Sequence, residues 1–249
     1  MGSGRTKPAL FGCEDEQGDP AGEFVVKFKG GLEAGVKGLT CELLSSLIAD
    51  HLGIPSPAPA LIKVDVAIAD LIPRSDADVG EVIRKSAGLN FGSRVLVGGF
   101  RTWPVDKPIP LTLRQTAVEL FAFDALVQNP DRRYMNPNLL WRDDEIFAID
   151  HDAAFSFLLD IGKPADPWNL ETLNFLEQHV FFRGLKGEET NIDRFTGALE
   201  AMTDERISDM AETVPPEWRN QHLTRILGHL ESVREHARDF AEQIKRRLA

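Results

Sequence analysis

Apolar positions change their period along the chain, and each change marks an element. "KPALFGCED" and "EFVVKFKG" are short apolar runs separated by "EQGDPAG", which is turn chemistry, so they predict an antiparallel pair of strands. In "GLTCELLSSLIADHLG" the period becomes helical. Leu39, Leu43, Leu47 and Ile48 form a stripe that Leu44 and Leu52 widen, and Gly53 and Pro55 end the helix. "SPAPALIKVDVAIADLI" predicts a further strand entered through prolines. Residues 73–111 are rich in Gly, Pro and charge and read as a hinge or connector with one strand at "SRVLVGG".

From residue 112 the pattern is mostly helical. "TLRQTAVELFAFDALVQN" is apolar nearly all round, which predicts a buried helix. A hairpin follows, "NLLW" and "IFAID" about a turn at "RDDE". Further helices are expected near 168–182, 191–202 and 204–213, and a long amphipathic one over about 216–247. The expected domains are a small β/α lobe over 1–72, a connector over 73–111 and a helical lobe over 112–249. The fold class is α+β: a two-lobed, protein-kinase-like arrangement with a small mixed N-lobe and a larger, mainly helical C-lobe.

The 249 residues suffice for a large core, and 43% apolar with 27% charged residues is ordinary for a globular protein. The net charge of -11 argues against a broad nucleic-acid face. No apolar run approaches the ~20 residues needed to span a bilayer, and the first ten residues carry no signal-peptide core. Cys13 and Cys41 have no metal-ligand spacing. Together these features place the chain in a reducing cytoplasm.

The chemistry concentrates in "QNPDRRYMNPNLLWRDDEIFAIDHDAAF", residues 128–155. If the hairpin forms, Asn138 at its start and Asp150 at its end lie side by side, with Asp131 on the loop before. Converging oxygen ligands suit Mg2+, and a further carboxylate there can take a proton from an attacking hydroxyl. Asp and Asn are also ordinary turn residues. The weight comes from the bracketing of this loop by a buried helix and an apolar hairpin that ends in Asp. On "EFVVKF", alternation places Val25 and Lys27 on one face and Val26 and Phe28 on the other. Lys27 with Glu42 of the following helix would make a phosphate-facing pair, with Lys29 as the competing cation. Asp124, inside "LFAFDALV", needs a partner if buried and is expected to brace the loop through Arg132 or a backbone N–H.

These residues together resemble the HipA-like kinases, in the short form without an extra N-terminal subdomain. That family is distantly related to protein kinases and phosphatidylinositol kinases. The resemblance rests on "GRTKP", "FVVKF", "ELLSSLIADHLGIPSPAPALIKVD", "NFGSRVL", "FDALVQNPDRRYMNPNLLW" and "FAIDHDAAF". It implies an ATP-dependent phosphotransferase with protein Ser/Thr acceptors, the kinase itself among them, and a small antitoxin-like partner. By position, Lys27 holds ATP phosphates, Asp131 is the base and Asp150 the principal Mg2+ ligand. The second metal ligand is Asn138, with Asn136 its rival. Glu42 is carried over as the partner of Lys27. No G-x-G-x-x-G follows the first strand, so "GSGRTKP", with Arg5 and Lys7, is the candidate phosphate-facing segment. Asp152 stands where many relatives carry Gly and is read as a cap on the next helix. Two other functions fit less of the pattern. One is a non-catalytic nucleotide- or partner-binding module on the same fold. The other is a metal-dependent phosphohydrolase drawing on His51 or His179.

Overall fold

The computed structural model describes residues 8–159 and 166–249. The fold is mixed α/β, with two small antiparallel sheets and a helical remainder. β1 (Ala9–Glu14) and β2 (Pro20–Lys27) form the expected antiparallel pair. Their turn is fixed by Asp15, whose Oδ1 accepts from the N–H groups of Gln17 and Asp19, both at 2.9 Å. α1 (Val36–Leu52) follows and stops at Gly53, which adopts φ 67°. Ile54 N–H then closes onto the Ala49 carbonyl at 2.8 Å, a left-handed helix end that favours glycine. α1 is buried on almost every side because it lies between β3 (Pro59–Val64) and the C-terminal helices.

Residues 73–111 depart from the expected connector. Ala77–Arg84 form α2, and Gly88–Arg94 form β4, which sits inside the sheet in the order β1-β2-β4-β3. β4 was hidden because "GLNFGSR" is poor in strand formers. It is held instead by Asn90, fully buried, which donates to Ser86 O at 2.7 Å and Gly88 O at 2.9 Å and accepts from Lys29 N–H at 2.9 Å. Gly92 is required there, since a Cβ would meet the Ile62 side chain at 2.6 Å. Phe24, Val26 and Phe28 pack with Val64, Ala69 and Ile83 on one face of this sheet. Lys27 lies on the other.

The second sheet has the order β5 (Arg101–Thr102), β6 (Leu139–Arg142), β7 (Glu145–Ala148). α3 (Arg114–Leu126) runs through the main core and is buried from Ala117 onward. The expected helix at 168–182 is absent. Only a 3-10 turn at Asn174–Gln178 and the short α4 (Phe182–Leu185) occur there. Asn169 Oδ1 captures Glu171 N–H at 2.9 Å, a local bond that competes with helix. α5 (Asp193–Glu200) and α6 (Asp204–Thr213) match expectation. The long C-terminal helix is instead two, α7 (Gln221–Glu235) and α8 (Ala237–Leu248). At the break the His236 ring Nδ1 bonds the Ser232 carbonyl at 3.0 Å, the acceptor that a continuous helix would offer to the His236 N–H. Its ring also stacks on Trp168 at 3.6 Å. No helix among the described residues is long and apolar enough to cross a membrane.

Candidate active site

α3 delivers the acid-rich loop through a left-handed end. Gln128 has φ 46°, and Asn129 N–H bonds the Asp124 carbonyl at 2.9 Å. The Asp124 side chain then anchors the loop itself. It is fully buried and accepts from Arg132 Nε at 2.5 Å and His179 Nε2 at 3.0 Å. Burial raises its pKa, but the Arg132 charge and the His179 bond outweigh this and hold it below the usual carboxylate range. Arg132, 1% exposed, reaches further. Its guanidinium donates to the carbonyls of Asn138 and Ile149 and to His151 Nδ1, the last at 3.2 Å. One buried arginine therefore ties the helix, the loop and both ends of the hairpin together. His151 stays neutral: burial and the Arg132 charge lower its pKa to about 3.

The hairpin ends leave their strands in the left-handed region, Asn138 at φ 46° and Asp150 at φ 63°. This backbone is least costly for Asn and Asp after glycine, and it recurs at functional sites. Ile149 N–H bonds the Asn138 carbonyl at 3.0 Å, so the two ends are adjacent. Asp131 is half-exposed. Its Oδ1 accepts from Arg133 at 2.8 Å, and its Oδ2 from Asn136 at 2.8 Å and Asn138 at 3.2 Å. Both candidate asparagines thus touch the same carboxylate. Asn138 is the one joined to the Asp150 end of the hairpin, through its carbonyl and the Ile149 N–H, whereas Asn136 is exposed.

Lys27, 9% exposed, projects from β2 between the two halves of the site. Its ammonium donates to Glu42 of α1 and to Asp150, and lies 3.7 Å from Asp152. Burial works against its charge, but the three carboxylates prevail and raise its pKa. Burial raises the Glu42 pKa and Lys27 only partly offsets it. Asp150 is lowered: burial opposes this, and Lys27 overcomes it. Asp152 is raised by burial and by the neighbouring charges of Asp150 and Asp131. Glu42 also accepts from His151 N–H at 3.0 Å, which locks α1 to the hairpin end. Lys29 points elsewhere and donates to the Ala87 carbonyl.

A cavity of about 250 Å3 opens beside Lys27. Val25, Phe91, Leu96, Phe100, Leu140 and Ile149 give it apolar walls, and Lys27 and Asp150 stand at its polar end. A slot of that kind suits a flat heterocycle with a charged tail.

Comparison with protein families matches residues 1–244 to the HipA-like kinases. The chain belongs to the HipA-like kinase family. The activity class is therefore kinase-type phosphoryl transfer, which generally uses ATP and a metal. No curated protein matches the chain.

In this HipA-like kinase the residues present fit a divalent cation. Ligand oxygens of Glu42, Asp150 and Asp152 lie within 4.8 Å of one another. Three carboxylates face a single ammonium, so the cluster is short of positive charge, and all its donors are hard oxygens. His51 and His179 are not part of it; they bond the Ala198 carbonyl and Asp124, respectively. The expected role of Asp152 as a helix cap is corrected. The next helical turn begins only at Ser156, and Asp152 faces Lys27 instead. Arg5 and Lys7 lie outside the described residues.

Proposed function

We propose that this HipA-like kinase transfers the γ-phosphoryl group of ATP, with Mg2+, to a serine or threonine hydroxyl of a protein, itself among the acceptors. The observation that carries the reading is Lys27. A single buried lysine on a sheet is shared between Glu42 and the hairpin acid Asp150, at the mouth of an apolar slot and close to a braced Asp131. The fold is then the two-lobed kinase arrangement, with β1–β4 and α2 in the small lobe and the cleft between Lys27 and the hairpin.

In this reading the adenine lies against Val25, Leu140 and Ile149, and the Lys27 ammonium faces the phosphates. Glu42 orients Lys27. Mg2+ would be held by Asp150, with Asn138 (Asn136 the alternative) and the Asp152 carboxylate of the same acidic cluster, and would supply charge neutralisation at the phosphates. Asp131 accepts the acceptor hydroxyl's proton as its oxygen bonds to the γ-phosphorus and the bond to the β-phosphate oxygen breaks, leaving ADP. Asn136 and Asn138 orient the Asp131 carboxylate. Arg132 and Asp124 act at one remove, by fixing where Asp131, Asn138 and Asp150 stand. A cytoplasmic setting accords with the free thiols of Cys13 and Cys41.

The test is transfer of labelled γ-phosphate from Mg·ATP, for the wild type and Asp150→Ala, alone and in a cell lysate. Label on protein with the wild type only is the expected result. ATP binding with no transfer by folded wild type would replace this reading with a non-catalytic nucleotide-binding module.

A further inference from the structure

A second cavity flanks the catalytic loop. It measures about 390 Å3, lies within the range of ligand clefts, and shares no lining residue with the slot beside Lys27. Arg133 and Asn136 line it, and both hydrogen-bond the Asp131 carboxylate at 2.8 Å. It therefore opens one side chain away from the proposed base, separate from the slot beside Lys27. Its two walls are joined to each other by main-chain bonds, Tyr134 N–H to Gln178 O and Val180 N–H to Arg132 O, both 3.1 Å.

The charge of this groove runs against that of the chain. The protein carries -11 overall, yet this groove is lined by Arg133, which is held by Asp131 at 2.8 Å, by Arg183, and by a single carboxylate, Glu177, which faces Arg247 at 3.8 Å. Among the described residues no carboxylate is within ion-pair distance of Arg183. Its guanidinium lies 5.4 Å from the centre of the Tyr134 ring, exposed and oriented by that ring. Met135, 75% exposed, adds an apolar contact at the rim.

We propose that this groove is the acceptor site, and that it takes an extended protein segment carrying an acidic side chain beside its serine or threonine. Arg183 receives the acid by charge-assisted hydrogen bonds, Met135 covers the neighbouring residue, and the hydroxyl falls at Asp131, which Arg133 holds at 2.8 Å. The assignment of the hydroxyl rests on the kinase reading; the binding of an acidic segment does not.

The experiment uses serine peptides flanked by Glu, Ala or Lys, with the wild type and Arg183→Glu. In parallel, fluorescence anisotropy follows a labelled Glu-flanked peptide whose serine is replaced by alanine. The wild type is expected to favour the Glu-flanked peptide over the Lys-flanked one by about fivefold or more in kcat/KM. Arg183→Glu should abolish or invert that preference while leaving the KM for ATP unchanged, and Arg183→Lys should restore part of it. An unchanged Glu-to-Lys ratio in Arg183→Glu overturns the proposal and leaves the kinase reading intact. If the wild type phosphorylates no peptide, anisotropy decides: binding that depends on Arg183 upholds the groove, and its absence overturns it.

Discussion

Replacing Asp124 by Asn separates the brace of the site from its chemistry. The substitution keeps the shape and removes the charge that faces Arg132 at 2.5 Å, both residues being at most 1% exposed. Arg132 then keeps only carbonyls and the His151 ring as partners. Leaving one member of a buried pair uncompensated costs about 3 kcal/mol, which for a chain of this size lowers Tm by roughly 6–12 °C. Urea titration with linear extrapolation measures it as a shift in midpoint. A second variant, Asp124→Leu with Arg132→Met, removes both charges but leaves His179 Nε2 and the Ile149 carbonyl without these partners, so only part of that stability is expected back. It should not recover phosphoryl transfer, since Asn138 and Ile149 lose the guanidinium that held their carbonyls. A loss below about 1 kcal/mol for Asp124→Asn, or wild-type transfer by the double variant, would refute the reasoning.

Lys27→Met leaves Glu42 buried beside Asp150 and Asp152 without a cation, so it is expected to lose about 3 kcal/mol of stability as well as ATP affinity, read by denaturation and calorimetry. His229 donates from Nε2 to the Leu126 carbonyl at 2.7 Å, and burial lowers its pKa to about 4. The unfolded chain therefore takes up a proton first, and stability is complete above about pH 6.5 and lost as pH falls toward 4. Between pH 7 and 5 the wild type should lose about 2 kcal/mol more than His229→Gln, and equal losses would show that His229 is not held neutral. Gly92→Val, which drives a side chain into Ile62, should cost about 2 kcal/mol by the same titration.

The acid-bearing hairpin was legible because two independent patterns agree there: a buried helix followed by alternating apolar residues, with Asp and Asn only at the ends. Alternation put Lys27 on a face with Val25 but could not separate it from Lys29; the structure buries Lys27 and turns Lys29 to the Ala87 carbonyl. β4 was not, since Asn90 and Gly92 stabilise it through specific side-chain bonds and close strand packing rather than propensity. The break at His236 depends on a ring-to-carbonyl bond and a stack on Trp168, distant in sequence. Arg132 could be named as a brace, but its reach to Asn138, Ile149 and His151 is a product of tertiary folding. Arg183 carried no sequence signal; only the fold brings it beside Asp131's loop.

The most direct test of the central claim measures ATP binding and phosphoryl transfer in the same samples of wild type, Asp131→Asn and Asp150→Asn, with Mg2+ present. Asp131→Asn is expected to bind Mg·ATP like the wild type and to transfer phosphate at least about 100-fold more slowly, whereas Asp150→Asn should be impaired in both. Transfer by Asp131→Asn at the wild-type rate, or by Asp150→Asn with unchanged Mg2+ dependence, would contradict the roles given to the two ends of this site.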